Sequence, residues 1–282
     1  MQKVKIVVDS STDIPPDLVK ALEIDVVPMT VTIDGKAYRE GIELQIEDFY
    51  ARFGGFSDLP KTSQPNLLDL VSYYRTAAEG GRAIVAIHLS SGLSGTYQAA
   101  LLAKDMLAGE INIAAIDSRG ASFGAGLLAI EAARLAQEGA DLDQIVAATE
   151  QDRAKMRYIF TPDTLEYLIK GGRVSKLSGT IGSLLDIKPL LQITPDGKIA
   201  SFGKVRGRKT ALRKLAEVMA TEISSPEGQT VGIAYSACRD DAELLAEEIR
   251  QRVMVKEIQF SKIGCTIGSH TGPGCVALFY RN

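Results

Sequence analysis

The sequence of 282 residues has no tryptophan, only two histidines and only three cysteines. An odd number of cysteines is unsuited to a disulfide framework and fits a reducing compartment. No segment approaches the roughly 18 uninterrupted apolar residues of a membrane-spanning helix. Residues 1–5 lead directly into a strand pattern and lack the apolar core of a secretory signal. These absences predict a cytoplasmic protein without a transmembrane segment.

The residues that are present have the proportions of a globular protein, with 45% hydrophobic and 24% charged. This composition excludes a disordered tail, a collagen-like repeat and a disulfide scaffold. The charge is uneven, because residues 1–152 carry 12 basic and 22 acidic residues, whereas residues 153–282 carry 20 and 13. Two explanations of this asymmetry are equally good: the C-terminal half docks an acidic partner, or the two lobes attract each other.

Apolar runs that suit buried strands alternate with helical patterns in the first half of the chain. Such runs occupy residues 4–8, 26–33, 83–89 and 111–116. Strands buried on both faces and separated by helices indicate a parallel α/β sheet. In the second half, a Thr-Pro-Asp-Gly turn at residues 194–197 lies between two strand patterns and indicates a hairpin of a mixed sheet. We therefore predict an N-terminal parallel α/β/α domain of residues 1–153 and a C-terminal α+β domain of residues 154–282.

Three polar loops rich in Gly, Ser and Thr follow predicted strands, at residues 61–65, 90–96 and 268–274. Open α/β sheets bind ligands at the carboxyl ends of their strands, and loop amides there favour an anion. Thr62, Ser94 and His270 are the candidate binding residues. Each has a simpler interpretation, because Thr62 and Ser94 also suit helix caps and His270 also suits a hydrogen-bonded structural role. His88, inside an apolar strand, is predicted to be a core residue.

Catalytic motifs are scarce. Residues 203–210 miss the spacing of a phosphate-binding loop, and no dinucleotide fingerprint follows the first strand. Thr96 stands where a nucleophile elbow needs its second glycine. Cys265, His270 and Cys275 lack a standard zinc spacing. We predict no metal, no cofactor and no catalytic residue. The alternatives are a Ser–His hydrolase of acyl esters or thioesters, with Ser94 as nucleophile and His270 as base, and a phosphate-binding enzyme.

Five blocks together resemble the signature blocks of the DegV family, in the order of that family and over almost the whole chain. They are Asp-Ser-Ser-Thr-Asp-Ile-Pro at 9–15, Lys-Thr-Ser-Gln-Pro at 61–65, Ser-Ser-Gly-Leu-Ser-Gly-Thr at 90–96, Leu-Glu-Tyr-Leu at 165–168 with Gly-Gly-Arg at 171–173, and His-Thr-Gly-Pro-Gly at 270–274. The resemblance implies a two-domain α/β fold that holds a long-chain fatty acid, such as palmitate, in a buried tunnel. It also implies that Thr62, Ser94 and His270 bind the acyl carboxylate, with Ser63, Gly95 and Thr96 supporting their loops.

The family includes the FakB subunits of the bacterial fatty acid kinase, which present the acyl carboxylate to a separate ATP-dependent subunit that makes an acyl phosphate. The resemblance therefore implies that a kinase subunit is the partner and that this chain itself catalyses no reaction. Arg173, Arg206 and Arg208 belong to a basic stretch that suits either an acidic kinase partner or a solvated helix face. Nucleic acid is not expected, because the net charge is −3 and no aromatic residues interleave the basic ones.

The acyl tail would need a dry tunnel, since each buried methylene contributes about 0.8 kcal/mol. Two segments combine small and apolar side chains that suit a tunnel wall, residues 123–128 and residues 181–185. The second segment lies within a predicted helix at 175–185. Ordinary helix packing explains the same pattern and is preferred for any single residue.

Overall fold

The computed structural model describes residues 3–174 and 186–282. Its first part contains β1 (Val4–Asp9), α1 (Pro16–Ala21), β2 (Asp25–Val27), β3 (Thr30–Ile33), β4 (Lys36–Arg39), α2 (Ile46–Arg52), β5 (Lys61–Ser63), α3 (Leu67–Ala77), β6 (Ala83–His88), α4 (Thr96–Met106), β7 (Ile113–Asp117), α5 (Ser122–Gln137) and α6 (Leu142–Lys155). Its second part contains β8 (Met156–Thr161), α7 (Glu166–Lys170), β9 (Ile187–Ile193), β10 (Ile199–Arg206), α8 (Arg208–Glu222), β11 (Thr230–Tyr235), α9 (Arg239–Arg250), β12 (Glu257–Lys262), α10 (Cys265–Thr271) and β13 (Val276–Arg281).

The first sheet is parallel throughout, with the strand order β2-β1-β6-β7. Helices α3 and α4 pack on one face, and α5 and α6 pack on the other. All six residues of β1 are buried, as expected for a strand that is covered on both sides. The predicted parallel sheet is therefore confirmed.

The second sheet is mixed, with the strand order β10-β9-β8-β13-β11-β12. Only β11 and β12 pair in parallel, and the predicted hairpin is formed by β9 and β10. Helices α8 and α9 cover one face, and α5 lies against the other. Because α5 also packs on the first sheet, it lies between the two sheets. The predicted mixed sheet is confirmed.

The close approach of α5 to the second sheet depends on a glycine. A Cβ atom at Gly124 would collide with the rings of Tyr158 on β8 and Phe279 on β13. Since glycine has no Cβ, the first turn of α5 can lie directly on these rings. The same contact brings the loop before α5 next to the second sheet, where the cavity described below is found.

A third, small sheet has the order β4-β3-β5 and corrects two predictions. The single strand predicted over residues 26–33 is two strands, because Pro28 lacks an N–H donor and the chain changes sheets there. The loop predicted at residues 61–65 contains β5, which pairs with β3. The loop predicted at residues 268–274 begins inside α10, so His270 is helical.

The predicted division after residue 153 stays a prediction. Strands of the four-stranded sheet end at Asp117, and those of the six-stranded sheet begin at Met156. The predicted helix at residues 175–185 lies outside the described residues. Among the helices of the described ranges, none is both long and apolar enough to cross a bilayer.

Candidate functional site

A cavity of about 310 Å³ opens between the mixed sheet, the N-terminus of α5 and the loops at the ends of β5 and β6. Most of its lining is apolar. The apolar lining includes Met29, Leu89, Leu93, Tyr158, Phe160, Leu168, Ile193, Ile199, Ile263, Ile267, Ala277 and Phe279. Its main polar side chains belong to Thr62, Ser63, Gln64, Ser94, Arg173 and His270, which we call the polar cluster.

Thr62 and His270 are joined by a hydrogen bond between Thr62 Oγ1 and His270 Nε2, with a length of 2.8 Å. Thr62 is held by β5, where it pairs with Val31 of β3. His270 lies in the last turn of α10, and Gly272 at φ +70° lets the chain leave that helix beside the ring of Tyr167. Two of the predicted ligands, 208 residues apart in sequence, are thus adjacent in space.

Ser94 lies in the loop between β6 and α4 and also lines the cavity. Its Oγ is 2.8 Å from Thr96 Oγ1 and accepts a 3.3 Å hydrogen bond from the Thr96 amide. Ser94 thus accepts a hydrogen bond from the first residue of α4, which Gly95 caps, while its side chain faces the cavity. Thr96 itself is buried behind Ser94.

Gly95 brings two of the predicted loops together. A Cβ atom at Gly95 would collide with the side-chain oxygen of Gln64. The absence of this atom lets Gln64 cross from its loop to the loop of Ser94. Gln64 lines the cavity beside Ser63. The motif at residues 61–65 contains Gln64, but nothing in that loop indicates which other loop this side chain contacts.

Arg173 supplies the only formal positive charge among the described side chains that line the cavity. Its half-buried guanidinium donates to the carbonyl oxygens of Gly171 (2.5 Å) and Leu93 (3.4 Å). Within the described ranges no carboxylate forms an ion pair with it, and burial lowers its pKa. A guanidinium without a counter-charge at the wall of an apolar cavity favours an anionic ligand.

The environment of His270 keeps its imidazole neutral near pH 7. Burial, and then the charge of Arg173, lower the pKa of His270 to about 4. Its Nδ1 is buried and has no hydrogen-bond partner among the residues that the structure describes. A neutral imidazole carries one N–H, so His270 can donate one hydrogen bond to a ligand.

The geometry does not assemble the pair that a hydrolase would need. The Ser94 hydroxyl bonds with Thr96, whereas Nε2 of His270 bonds with Thr62. No carboxylate of the described residues orients the His270 ring. A pKa of about 4 also makes His270 a weak general base at neutral pH.

Arg206 and Arg208 lie away from the cavity. Arg206 is exposed on β10, opposite Ile187. Arg208 bonds Asp241 with an Nε–Oδ2 distance of 2.8 Å and donates to the Gly274 carbonyl at 2.7 Å. The side chain of Arg208 thus ties α8 to α9 and to the loop before β13. Partner docking by Arg173, Arg206 and Arg208 stays a prediction.

His88 is a core residue, as predicted. It is fully buried, with Nδ1 3.0 Å from Asp9 Oδ2 and Nε2 2.8 Å from the Tyr74 hydroxyl. Both ring nitrogens therefore have partners, whereas Nδ1 of His270 has none among the described residues.

The apolar wall differs from the predicted one. Phe123, Leu127 and Leu128 pack into the core around α5, and residues 181–185 lie outside the described residues. The described wall is formed instead by alternate residues of two adjacent strands, Tyr158 and Phe160 on β8 and Ala277 and Phe279 on β13. Neither β8 nor the face that it shares with β13 was predicted from the sequence.

Comparison with known proteins agrees with these features. Residues 3–282 match the family model described as "Uncharacterised protein, DegV family". A DegV domain-containing protein of Clostridium perfringens is 38% identical over 99% of this chain and 98% of its own length. A fatty-acid-binding DegV family protein of Thermus thermophilus superposes with a TM-score of 0.91 at 31% identity, covering 99% of this chain and 100% of its own. DegV, a fatty acid binding protein from Bacillus subtilis, superposes with a TM-score of 0.88 at 30% identity, and both chains are covered completely.

Proposed function

Since the chain belongs to the DegV family, we propose that it binds one long-chain fatty acid, such as palmitate, in the cavity beside the polar cluster. The carboxylate lies on Thr62, Ser94 and His270, and the acyl tail runs along the apolar wall. The observation that carries this proposal is the meeting of two hydroxyls, a neutral imidazole and a half-buried guanidinium at one apolar cavity.

The polar cluster suits a carboxylate because burying an anion is costly unless it accepts several strong hydrogen bonds. Ser94 supplies a hydroxyl. Thr62 and His270 are hydrogen-bonded to each other, so this pair has one further proton, on the Thr62 hydroxyl or on Nδ1 of His270, that it can donate to the carboxylate. Arg173 lies on the same wall and offsets the negative charge through space.

The apolar wall suits the tail. A saturated chain of sixteen carbons would contribute roughly 10 kcal/mol of burial before entropic losses, at about 0.8 kcal/mol for each methylene. Aromatic and branched side chains of β8, β9 and β13 form that wall. The polar cluster alone would give neither this affinity nor a preference for long chains.

The head-group end suits transfer to a partner. Ser63, Gln64 and Gly95 are exposed as well as lining the cavity, so the carboxylate end faces the surface. We propose that the chain presents the carboxylate there to a separate ATP-dependent fatty acid kinase, which forms the acyl phosphate. The chain itself would perform no chemistry, and Arg173 would contribute to the docking surface.

Native mass spectrometry of protein expressed in bacteria tests the binding proposal. We expect one long-chain fatty acid per chain, which solvent extraction identifies. Preparations that carry no acyl lipid and take up no offered palmitate would contradict it. The kinase step is tested separately, by ATP consumption and acyl phosphate formation when the loaded protein meets the ATP-binding subunit of a bacterial fatty acid kinase. Turnover of a p-nitrophenyl ester by the pure protein would instead support the hydrolase.

A further inference from the structure

Two carboxyl groups, those of Asp13 and Glu40, are buried behind the polar cluster. Their exposed fractions are 7% and 5%. Asp13 belongs to the Asp-Ser-Ser-Thr-Asp block, which the proposed binding site does not use. Among the described residues, neither carboxyl forms an ion pair with a lysine or arginine. Buried carboxylates without a cation are costly, so their contacts call for an explanation.

Both carboxyl groups hold the start of α10, the helix that carries His270. The Gly264 amide donates to Asp13 Oδ1 at 2.9 Å. The Thr266 amide donates to Glu40 Oε1 at 2.9 Å, and the Thr266 hydroxyl donates to Glu40 Oε2 at 2.6 Å. The first turn of α10 thus depends on these two side chains, and His270 lies in its last turn.

The same carboxyl groups also contact the wall of the cavity. Ser122, the first residue of α5, has its Oγ 2.5 Å from Asp13 Oδ2. Both Ser122 and Thr266 line the cavity. A shift of Asp13 or Glu40 would therefore be transmitted to the wall as well as to α10.

The two carboxyl groups lie close together at the start of α10. A Cβ atom at Gly264 would lie 2.5 Å from Glu40 Oε1 and 2.6 Å from Asp13 Oδ1. The two oxygens are therefore at most about 5 Å apart, where two like charges repel strongly in a buried site. Burial, and then the charge of Glu40, raise the pKa of Asp13 well above its ordinary value. With a proton on Asp13, its hydroxyl can donate to Ser122 while its carbonyl oxygen accepts from Gly264.

Within the part of the chain that the structure describes, the other ionisable groups around Asp13 and Glu40 add no positive charge that would offset their repulsion. Asp9 lies nearby but is bonded to His88. Tyr50, from α2, donates its hydroxyl to the Ile263 carbonyl, and burial raises its pKa well above the ordinary value. Burial likewise keeps the Cys265 thiol protonated.

A groove on the far side of the pair carries further charges, including those of Lys20 and Glu23. There the Lys262 ammonium is bonded to Glu47 at 2.5 Å, and Lys5 is bonded to Asp25 at 3.0 Å. Lys262 and Lys5 are thus compensated by other carboxylates.

We propose that Asp13 and Glu40 are positioning residues that, through the first turn of α10, keep His270 beside Thr62. This inference rests on the proposed fatty acid site. Loss of the Asp13 proton at alkaline pH adds a negative charge beside Glu40, and the repulsion displaces α10. Binding of the fatty acid then weakens as the pH rises.

Palmitate titrations from neutral to alkaline pH test the inference. We expect the affinity of the wild-type protein to fall by about tenfold, the size of one lost hydrogen bond to a charged group. Asp13→Asn imitates the protonated acid, and Glu40→Gln removes the opposing charge, so each should bind well with a flat pH profile. Glu47→Gln, on the same groove but with its carboxylate bonded to Lys262 and to no amide of α10, is the control and should keep the wild-type profile. A flat profile in the wild-type protein, or a wild-type profile in Asp13→Asn, would overturn the inference.

A second measurement does not need the ligand. Imidazole NMR of lipid-free protein reports the environment of His270, which differs from that of the buried His88. Asp13→Ala, which removes the hydrogen bonds to α10, should shift the His270 signals, whereas Asp13→Asn should leave them in place. Unchanged signals in Asp13→Ala would refute the positioning role. If palmitate binds neither to the wild-type protein nor to any variant, the proposed function is wrong. The His270 signals of the Asp13 variants would still test the positioning role.

Discussion

At the scale of single residues, the Ser94 hydroxyl has two roles that one substitution separates. It accepts a hydrogen bond from the Thr96 amide at the start of α4 and lines the cavity. Ser94→Ala should weaken palmitate binding by about 1.5–3 kcal/mol, the value of a hydrogen bond to a charged group. Loss of the bond to the Thr96 amide should lower the free energy of unfolding by about 1 kcal/mol. Isothermal titration and thermal unfolding of one variant measure both quantities.

Ser91→Ala is the matched control for Ser94, because Ser91 lies in the same loop but bonds Asp117 instead of lining the cavity. We expect no change in its palmitate affinity. If Ser94→Ala loses only stability and binds as well as this control, Ser94 stabilises the start of α4 and does not bind the carboxylate.

His270 should act as a donor and not as a base. His270→Gln retains a side-chain N–H and should bind palmitate more weakly than the wild-type protein, while His270→Ala should lose more, about tenfold or beyond. Neither the wild-type protein nor either variant should hydrolyse an acyl ester or an acyl-CoA. Ester turnover that disappears in both Ser94→Ala and His270→Ala would support the hydrolase hypothesis instead.

The lowered pKa of His270 also predicts how stability depends on pH. The unfolded chain binds a proton at the ordinary value of 6.5, whereas the folded protein does so only at about 4. Between these values the unfolded state holds more protons, so stability is complete above pH 6.5 and falls as the pH falls toward 4. Thermal unfolding of lipid-free protein across this window should show a steeper decline for the wild-type protein than for His270→Gln.

Residue types alone located much of the candidate site. Hydroxyls and a histidine in glycine-rich loops marked Thr62, Ser94 and His270, and all three line one cavity. From the sequence, Arg173 belongs to a basic stretch that suits a kinase partner or a solvated helix face, and its contact with the Leu93 carbonyl arises only in the folded protein. Contacts between loops far apart in sequence are set by tertiary packing, which local patterns do not record.

At the scale of elements, α10 shows why a short helix escapes prediction. Gly264, Gly268 and Gly272 lie in or beside its seven residues, and glycine has a poor helix propensity. The helix forms because Asp13 and Glu40 bind its first amides and because its neighbours require small residues. The longer buried strands are easier to predict than α10, because their apolar runs are long enough to identify. Pro28 nevertheless divides one such run between two sheets.

Gly268→Ala should destabilise the protein, although the same change in an isolated helix is favourable by about 0.5–1 kcal/mol. A Cβ atom at Gly268 would collide with the Tyr50 hydroxyl, so α10 or α2 must move. We expect a loss of about 1–3 kcal/mol in unfolding free energy, as for other overpacked sites, and weaker palmitate binding. Gly228→Ala, whose Cβ would meet no atom within 4 Å, is the control. Equal stability of the two variants would show that α10 tolerates the methyl group.

At the scale of the whole molecule, the cavity belongs to no single segment of the chain. One core cluster joins residues of the parallel sheet, α5 and the mixed sheet. The polar cluster comes largely from loops that precede α3 and α4 and from α10, while the apolar wall comes mainly from β8 and β13. The sequence indicated both kinds of sheet, yet their packing about α5, and hence the cavity, follows from contacts between distant residues.

This shared cavity predicts that a fatty acid stabilises both sheets at once. A ligand at a hundred times its dissociation constant adds about 2.7 kcal/mol to the native state. Palmitate added to lipid-free protein should therefore raise the midpoint temperature of a single unfolding transition. Hydrogen exchange should slow together in β5, α10, β8 and β13. Protein carrying His270→Ala should show a smaller shift at the same palmitate concentration. Two transitions of which palmitate moves only one, or protection confined to the strands of one sheet, would mean that the acyl chain does not occupy the cavity between them.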